Sequence, residues 1–170
     1  RSENTEFDLT ELLHEVRAQA LSRYDGEVLI NGPMPRIMGD RARLSLVFAH
    51  LVENGLKFNR YAVPCVEVSY GEASMYWHIH VTDNGIGIDE AEHDNIFGLF
   101  YRLHDDEQFS GSGTGLNIAR RIIADHRGHI DVSSAAEGGT RFTVRLPKDG
   151  SRLTSPGFRV SADGNIVSVR

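Results

Sequence analysis

Tyr76-Trp77-His78-Ile79-His80-Val81-Thr82-Asp83-Asn84-Gly85-Ile86-Gly87-Ile88 reads as the end of a strand over residues 75–83 running into a glycine turn. Trp77, Ile79 and Val81 share one face, and Tyr76, His78, His80 and Thr82 share the other, which is the two-residue period of a half-buried strand. Asp83 is in phase with the apolar row. Its carboxylate therefore ends the inward side, where a charge is costly unless it meets a specific partner. Gly85 and Gly87 then let a bulky ligand come close to the backbone and supply positive φ where a turn needs it. His78 and His80 are expected to be solvated sheet residues rather than metal ligands.

A second cluster, Gly111-Ser112-Gly113-Thr114-Gly115-Leu116, stands just before a helical pattern. A glycine-rich turn entering a helix presents unpaired N–H groups and the positive end of the dipole, which suits phosphate. Two familiar phosphate motifs are excluded. The chain has no G-x-x-x-x-G-K-[ST] loop, and residues 111–115 lack the last glycine of G-x-G-x-x-G and follow polar loop rather than strand. Taken alone, either cluster reads equally as a structural turn.

Working outward, Asp8 caps a first helix whose apolar stripe is Leu9, Leu12, Leu13 and Val16. A short strand over 27–30 follows the turn at Asp25-Gly26, and Asn31-Gly32-Pro33 ends it. Asp40 is the N-cap of a second helix, where Leu44, Val47, Phe48, Leu51 and Gly55 recur at helical spacing. At 100° per residue His50, Asn54 and Lys57 fall within about 60° of one another on the adjacent flank. Strands over 65–70 and 75–83 are expected to join at a turn around Gly71. A helix over 114–126 turns Leu116, Ala119, Ile122 and Ile123 inward. Strands over 129–133 and 140–146 meet around Glu137-Gly138-Gly139. From Lys148 onward the composition shifts to Ser, Gly and Arg, with a hairpin pattern about Asp163-Gly164-Asn165. The expected organisation is one domain over 1–149 and a tail, linker or start of a further domain over 150–170.

The chain has 170 residues, with 18 Lys+Arg against 24 Asp+Glu and a net charge of −6, so a basic nucleic-acid footprint is not expected. A single cysteine, Cys65, excludes an internal disulfide framework and fits a reducing compartment. No apolar run approaches the ~20 residues that span a bilayer. The start at Arg1-Ser2-Glu3-Asn4 has neither an initiator Met nor a signal-like apolar region, so the chain is expected to be a piece of something longer. His14-Glu15-Val16-Arg17 has the look of a phosphoacceptor box, but too little helix follows it for the long hairpin such a box needs, so His14 is expected to be a surface residue.

In order, the motifs are a helix with His50, Asn54 and Lys57, the strand end Asp83-x-Gly-x-Gly, Phe97-Gly98-Leu99-Phe100-Tyr101-Arg102, and Gly-x-Gly-Thr-Gly-Leu. This series resembles the N, G1, F and G2 boxes of the GHKL superfamily of ATPases, which share the Bergerat nucleotide-binding fold. Leu51-Val52-Glu53-Asn54-Gly55-Leu56-Lys57-Phe58 and Gly138-Gly139-Thr140-Arg141-Phe142 are most similar to catalytic domains of sensor histidine kinases. The resemblance runs from about residue 7 to residue 147. It implies a two-layer α/β (α+β) sandwich, with helices on one face of a mixed sheet and a mobile ATP lid over about residues 98–112.

The resemblance also implies roles. Asp83 would accept from the adenine amino group, with Gly85 and Gly87 letting the purine pass. Asn54 would be the Mg²⁺ ligand, and Lys57 would meet a phosphate. Tyr101 and Arg102 would act from the lid, with Arg102 reaching the terminal phosphate. Gly111, Gly113, Thr114, Gly115 and Leu116 would form the phosphate loop, with Thr140 nearby. The kinases usually carry Asn where this chain has His50, and related ATPases often carry a Glu base there, so His50 is a candidate general base. Gly55 replaces the usual Ala.

The implied activity is transfer of the ATP γ-phosphoryl group to a histidine on a separate dimerisation domain. The implied partners are that domain and a response-regulator receiver, in the cytoplasm, with no membrane contact by this domain. Alternatives are a degenerate nucleotide-binding regulatory module, suggested by His50 and Gly55, and a serine kinase or ATPase of the same superfamily.

Overall fold

The computed structural model describes residues 4–59, 63–93, 95–97, 115–136, 138–148, 158–160 and 166–168. Two helices begin where the sequence sets a carboxylate ahead of an apolar stripe. Asp8 Oδ1 accepts from Thr10 N at 2.9 Å and starts α1 (Leu9–Arg23). Asp40 Oδ1 accepts from Arg43 N at 3.2 Å and starts α2 (Arg41–Lys57). The expected stripes of both helices are buried, and so is that of α3 (Gly115–Asp125), with Leu116, Ala119, Ile122 and Ile123 inward.

The strands are β1 (Thr5–Asp8), β2 (Glu27–Ile30), β3 (Arg36–Gly39), β4 (Cys65–Ala73), β5 (Tyr76–Asp83), β6 (His129–Ser134) and β7 (Thr140–Pro147). Five of them form one sheet in the order β2-β4-β5-β7-β6. Only the β2–β4 pair is parallel, so the sheet is mixed. All three helices pack on one face of it, α1 against α2 and α2 against α3. Val66, Val68, Ile79, Val81, Phe142, Val144 and Leu146 of the sheet meet them in the core. The two-layer sandwich with a mixed sheet is therefore as expected.

The outer face of the sheet is polar, as the alternation in β5 requires. His80 Nδ1 lies 2.9 Å from Thr143 Oγ1, Arg141 Nε donates to Thr82 Oγ1 at 3.0 Å, and Arg145 pairs with Asp131 at 3.2 Å. His14 is exposed on α1, with Nδ1 2.8 Å from Arg17 Nη2.

Two local readings change. The β4–β5 turn is not at Gly71: the ladder continues through Gly71↔His78 to Ala73↔Tyr76, and Ser74-Met75 make the turn. A Cβ at Gly71 would meet nothing within 4 Å, so no close approach in the ladder demands glycine there. β1 and β3 add a small antiparallel pair, Phe7↔Ile37, which buries both side chains. At the far end, β8 (Phe158–Val160) pairs antiparallel with β9 (Ile166–Ser168), the hairpin expected around residues 163–165.

α2 and α3 run antiparallel and are clasped at one end. Asp40 N donates to His126 Nε2 at 2.9 Å, and His126 Nδ1 lies 2.7 Å from Ile122 O, so the bonding fixes the Nδ1–H tautomer. Arg43 adds an ion pair to Asp125 at 2.7 Å.

Just beyond, Arg127 takes a φ of 61°, the conformation that usually falls to glycine after a helix, and its Nε is buried without a partner among the described residues. Gly128 follows because a Cβ there would fall on the Arg145 carbonyl. A left-handed backbone costs a side-chain-bearing residue about 1–2 kcal/mol, against about 0.4–1 kcal/mol for the added freedom of an unfolded glycine. Arg127→Gly is therefore expected to raise the urea midpoint, by about 0.5–1 kcal/mol in stability at unchanged m-value. A lowered midpoint would mean that the arginine side chain contributes more than its backbone costs.

Candidate functional site

Where β5 stops, the end of α2, the turn after Asp83 and the start of β7 surround an open cleft. Its polar lining is Asn54, Asp83 and Thr140, and its apolar walls are Phe58, Ile86, Ile88 and Phe142, with Gly87 between them. α2 brings Asn54 here because its inner stripe, Leu44 to Leu51, is locked in the core and turns the polar flank toward the sheet end.

Asp83 is the electrostatic centre of the cleft. Its Oδ1 accepts from Gly85 N at 2.8 Å and from Thr140 N at 3.2 Å, while Oδ2 has no hydrogen-bond partner among the described residues. Burial dominates those two bonds and pushes the carboxyl up from the ordinary 3.8 to about 6. Gly55 is explained by the same group. A Cβ at residue 55 would come within 2.6 Å of Val66 Cγ2 and 3.0 Å of Asp83 Cβ, so the glycine lets α2 lie directly against the strand end. At Gly87 the φ is 77° and a Cβ would meet the Gly138 carbonyl at 2.7 Å, which seats the turn against the β6–β7 connection.

Asn84 is a support that the sequence reading passed over. Its Oδ1 accepts from Asn59 Nδ2 and from Cys65 N, and its Nδ2 donates to Val63 O at 3.3 Å. These bonds tie the turn to the connection between α2 and β4. The Asp-Asn-Gly sequence was itself a turn signal, but the long-range partners were not legible in it.

The structure therefore gathers Asn54, Asp83, Gly87 and Thr140 around one cleft, with Gly85 bonded to Asp83. Lys57 lies one turn beyond Asn54, its ammonium 5.3 Å from the Phe58 ring centroid. His50 is half-buried and is not among the residues lining the cleft; burial, then Lys57, holds its imidazole below the ordinary 6.5. Leu116 is in the core. Tyr101, Arg102, Gly111, Gly113, Thr114 and the expected lid lie outside the described residues. The segment leading to them is anchored: Phe97 is buried, edge-on to Phe142 at 6.4 Å, with the Arg120 guanidinium over its ring.

Among the described residues no three His, Cys, Asp or Glu gather into a metal cage. Asn54, 9% exposed, has a side-chain amide with no hydrogen-bond partner among the described residues. One neutral oxygen beside a phosphate-bearing ligand fits Mg²⁺, which takes few protein ligands.

Residues 39–150, from the α2 cap past β7, match the family described as histidine kinase-, DNA gyrase B- and HSP90-like ATPase. The chain belongs to that family. This ATPase domain is 35% identical over 125 residues to cyanobacterial phytochrome A of Nostoc sp., covering 74% of this chain and 16% of that protein. It is 34% identical over 118 residues to the aerobic respiration control sensor protein ArcB of Escherichia coli, covering 67% of this chain and 15% of that one. Among solved structures, the catalytic domain of histidine kinase ThkA superposes with a TM-score of 0.72 at 28% identity, over 86% of this chain and 98% of that one. The chain thus spans about a sixth of the length of these curated relatives. It is a kinase-type, ATP-binding catalytic domain. No helix among the described residues is long and apolar enough to cross a membrane.

The half-buried carboxyl gives a stability test. Between pH 3.8 and about 6 the folded Asp83 keeps a proton that the unfolded chain has lost, so its contribution to stability falls as pH rises through that window. His50 acts in the opposite sense below 6.5, which makes the difference between wild type and Asp83→Asn the useful quantity. Asn retains the acceptor for Gly85 and Thr140. Asp83→Asn is expected to gain about 2–3 kcal/mol over wild type above pH 7 and little near pH 4. Urea melts at both pH values check this; a constant difference would contradict it.

Proposed function

We propose that this domain holds ATP with Mg²⁺ and presents the γ-phosphoryl group to a histidine on a dimerisation domain of the same protein, as the catalytic domain of a sensor histidine kinase. The observation that carries the reading is one cleft with a half-buried carboxylate whose Oδ2 is unbonded and a buried amide with no partner, both among the described residues. Asp83 Oδ2 accepts from the adenine amino group, and Ile86, Ile88 and Phe142 enclose the purine. Asn54 holds Mg²⁺, which when bound neutralises charge on the phosphates. Lys57 adds a cation beside them, and Arg102 and Tyr101 act from the lid. An imidazole nitrogen of the acceptor forms the new P–N bond as the bond from the γ-phosphorus to its bridging oxygen breaks, and ADP leaves with the electron pair. The domain's part is positioning and charge stabilisation, the main requirements of this chemistry.

The next partner in this reading is a response-regulator receiver. Histidine kinase ThkA has been solved in complex with response regulator protein TrrA, which supports that class of partner. A cytoplasmic setting is supported by the use of ATP and the lone cysteine. A second reading, a regulatory module that binds nucleotide without transferring phosphate, is motivated by His50. The packing of Gly55 against Asp83 accounts for the other departure without it.

Calorimetry with ADP separates these claims. Asp83→Asn turns an amide donor toward the adenine amino group and is expected to weaken binding by about tenfold or more. Unchanged affinity would remove the adenine assignment. Asn54→Ala is expected to leave binding without Mg²⁺ nearly intact and to abolish the gain when Mg²⁺ is added. Supplied with the histidine-bearing domain, the wild type should yield acid-labile phosphohistidine; nucleotide binding with no transfer favours the regulatory module, and phosphoserine favours a serine kinase.

A further inference from the structure

We propose that His50 and Gly115 form a size-matched joint that sets the distance between the Asn54 helix and the start of α3, so that His50 is a positioning residue for the phosphate end of the site. The proposal rests on the nucleotide reading above. A Cβ built on Gly115 would fall inside the His50 imidazole, and the three ring atoms nearest to it are Cε1, Nε2 and Nδ1. The ring thus packs against the first residue of α3, and His50 is not among the residues that line the cleft.

The joint has a counterpart at the other end of the same helix pair. There α2 and α3 are held by the Asp40–His126 hydrogen bond and the Arg43–Asp125 ion pair. Two antiparallel helices fixed at both ends have little freedom to splay. Among the described residues, the His126 end is fixed by polar bonds and the His50 end by contact, with the imidazole as spacer and the missing Cβ as the space it fills. Burial, then Lys57, holds the imidazole below its ordinary value, which favours the uncharged ring that suits the electropositive first turn of a helix. Asn54 is one turn further along α2, so a shift of α3 here changes the separation between Asn54 and the first turn of α3.

The test is a double-mutant cycle on the full 170-residue chain, with Mg²⁺-ADP and adenosine affinities measured by calorimetry. Gly115→Ala is expected to weaken ADP on the order of tenfold while adenosine, held at Asp83, changes little. His50→Ala alone should show the same split more mildly. Adding His50→Ala to Gly115→Ala should return ADP affinity to within a few-fold of His50→Ala, because the smaller residue at 50 makes room for the new methyl. If Gly115→Ala does not fold, His50→Ala and the double variant still decide the matter through the ADP–adenosine split. Additive effects, or equal losses for adenosine and ADP, overturn the joint while wild-type binding keeps the nucleotide reading. A His50→Ala variant that binds ADP normally but transfers phosphate slowly overturns it in favour of a general base. Failure of wild type to bind either ligand overturns the nucleotide reading and the joint with it.

Discussion

A carboxylate at the end of an apolar row has to be surrounded, and the upper end of this fold is organised around that need. Asp83 continues the inward face of β5 after Ile79 and Val81, so it cannot turn to solvent without breaking the alternation that buries them. Two backbone N–H groups offset part of its desolvation, yet the carboxyl still sits near 6. The remaining unfavourable energy is what a ligand donor can relieve. The glycines next to it follow from the same constraint, since Gly55 and Gly87 allow the helix and the turn to close around a group that must stay within reach of the cleft.

α2 turns that local need into a site. One side of the helix is fixed by the core, and its flank then has no freedom in where it places His50, Asn54 and Lys57. Three residues at helical spacing acquire different surroundings. Asn54 meets the cleft, Lys57 lies beside Phe58, and His50 meets the neighbouring helix. Their differences come from what packs against α2 at each height rather than from the helix itself.

What could be read in the sequence follows from the range of the interaction. The inward phase of Asp83, the caps Asp8 and Asp40 and the three helix stripes depend on neighbours within a few residues, and each stands where its pattern puts it. The β4–β5 turn was misplaced because a glycine opposite His78 in an open ladder looks the same as a glycine in a turn. β1 and β3 are four residues each and pair only with one another, too short for a period to declare itself. The contact between His50 and Gly115 joins residues far apart in the chain and exists only once α2 lies antiparallel on α3. The support that Asn84 gives across to Val63 and Cys65 was hidden for the same reason.

The positions of Thr5 and Lys148 have a consequence for how the domain can be handled and joined. Thr5 pairs with Gly39 beside the α2 cap, and Lys148 N donates to Met75 O at the β4–β5 turn, so both stand at the pole of the sandwich opposite Asp83. β5 alone, with eight residues, separates Met75 from the cleft by about 25 Å. Polypeptide continuing from either point starts a full strand length from the cleft. Among the described residues, the first strand and the last residue of the sandwich thus stand away from the cleft.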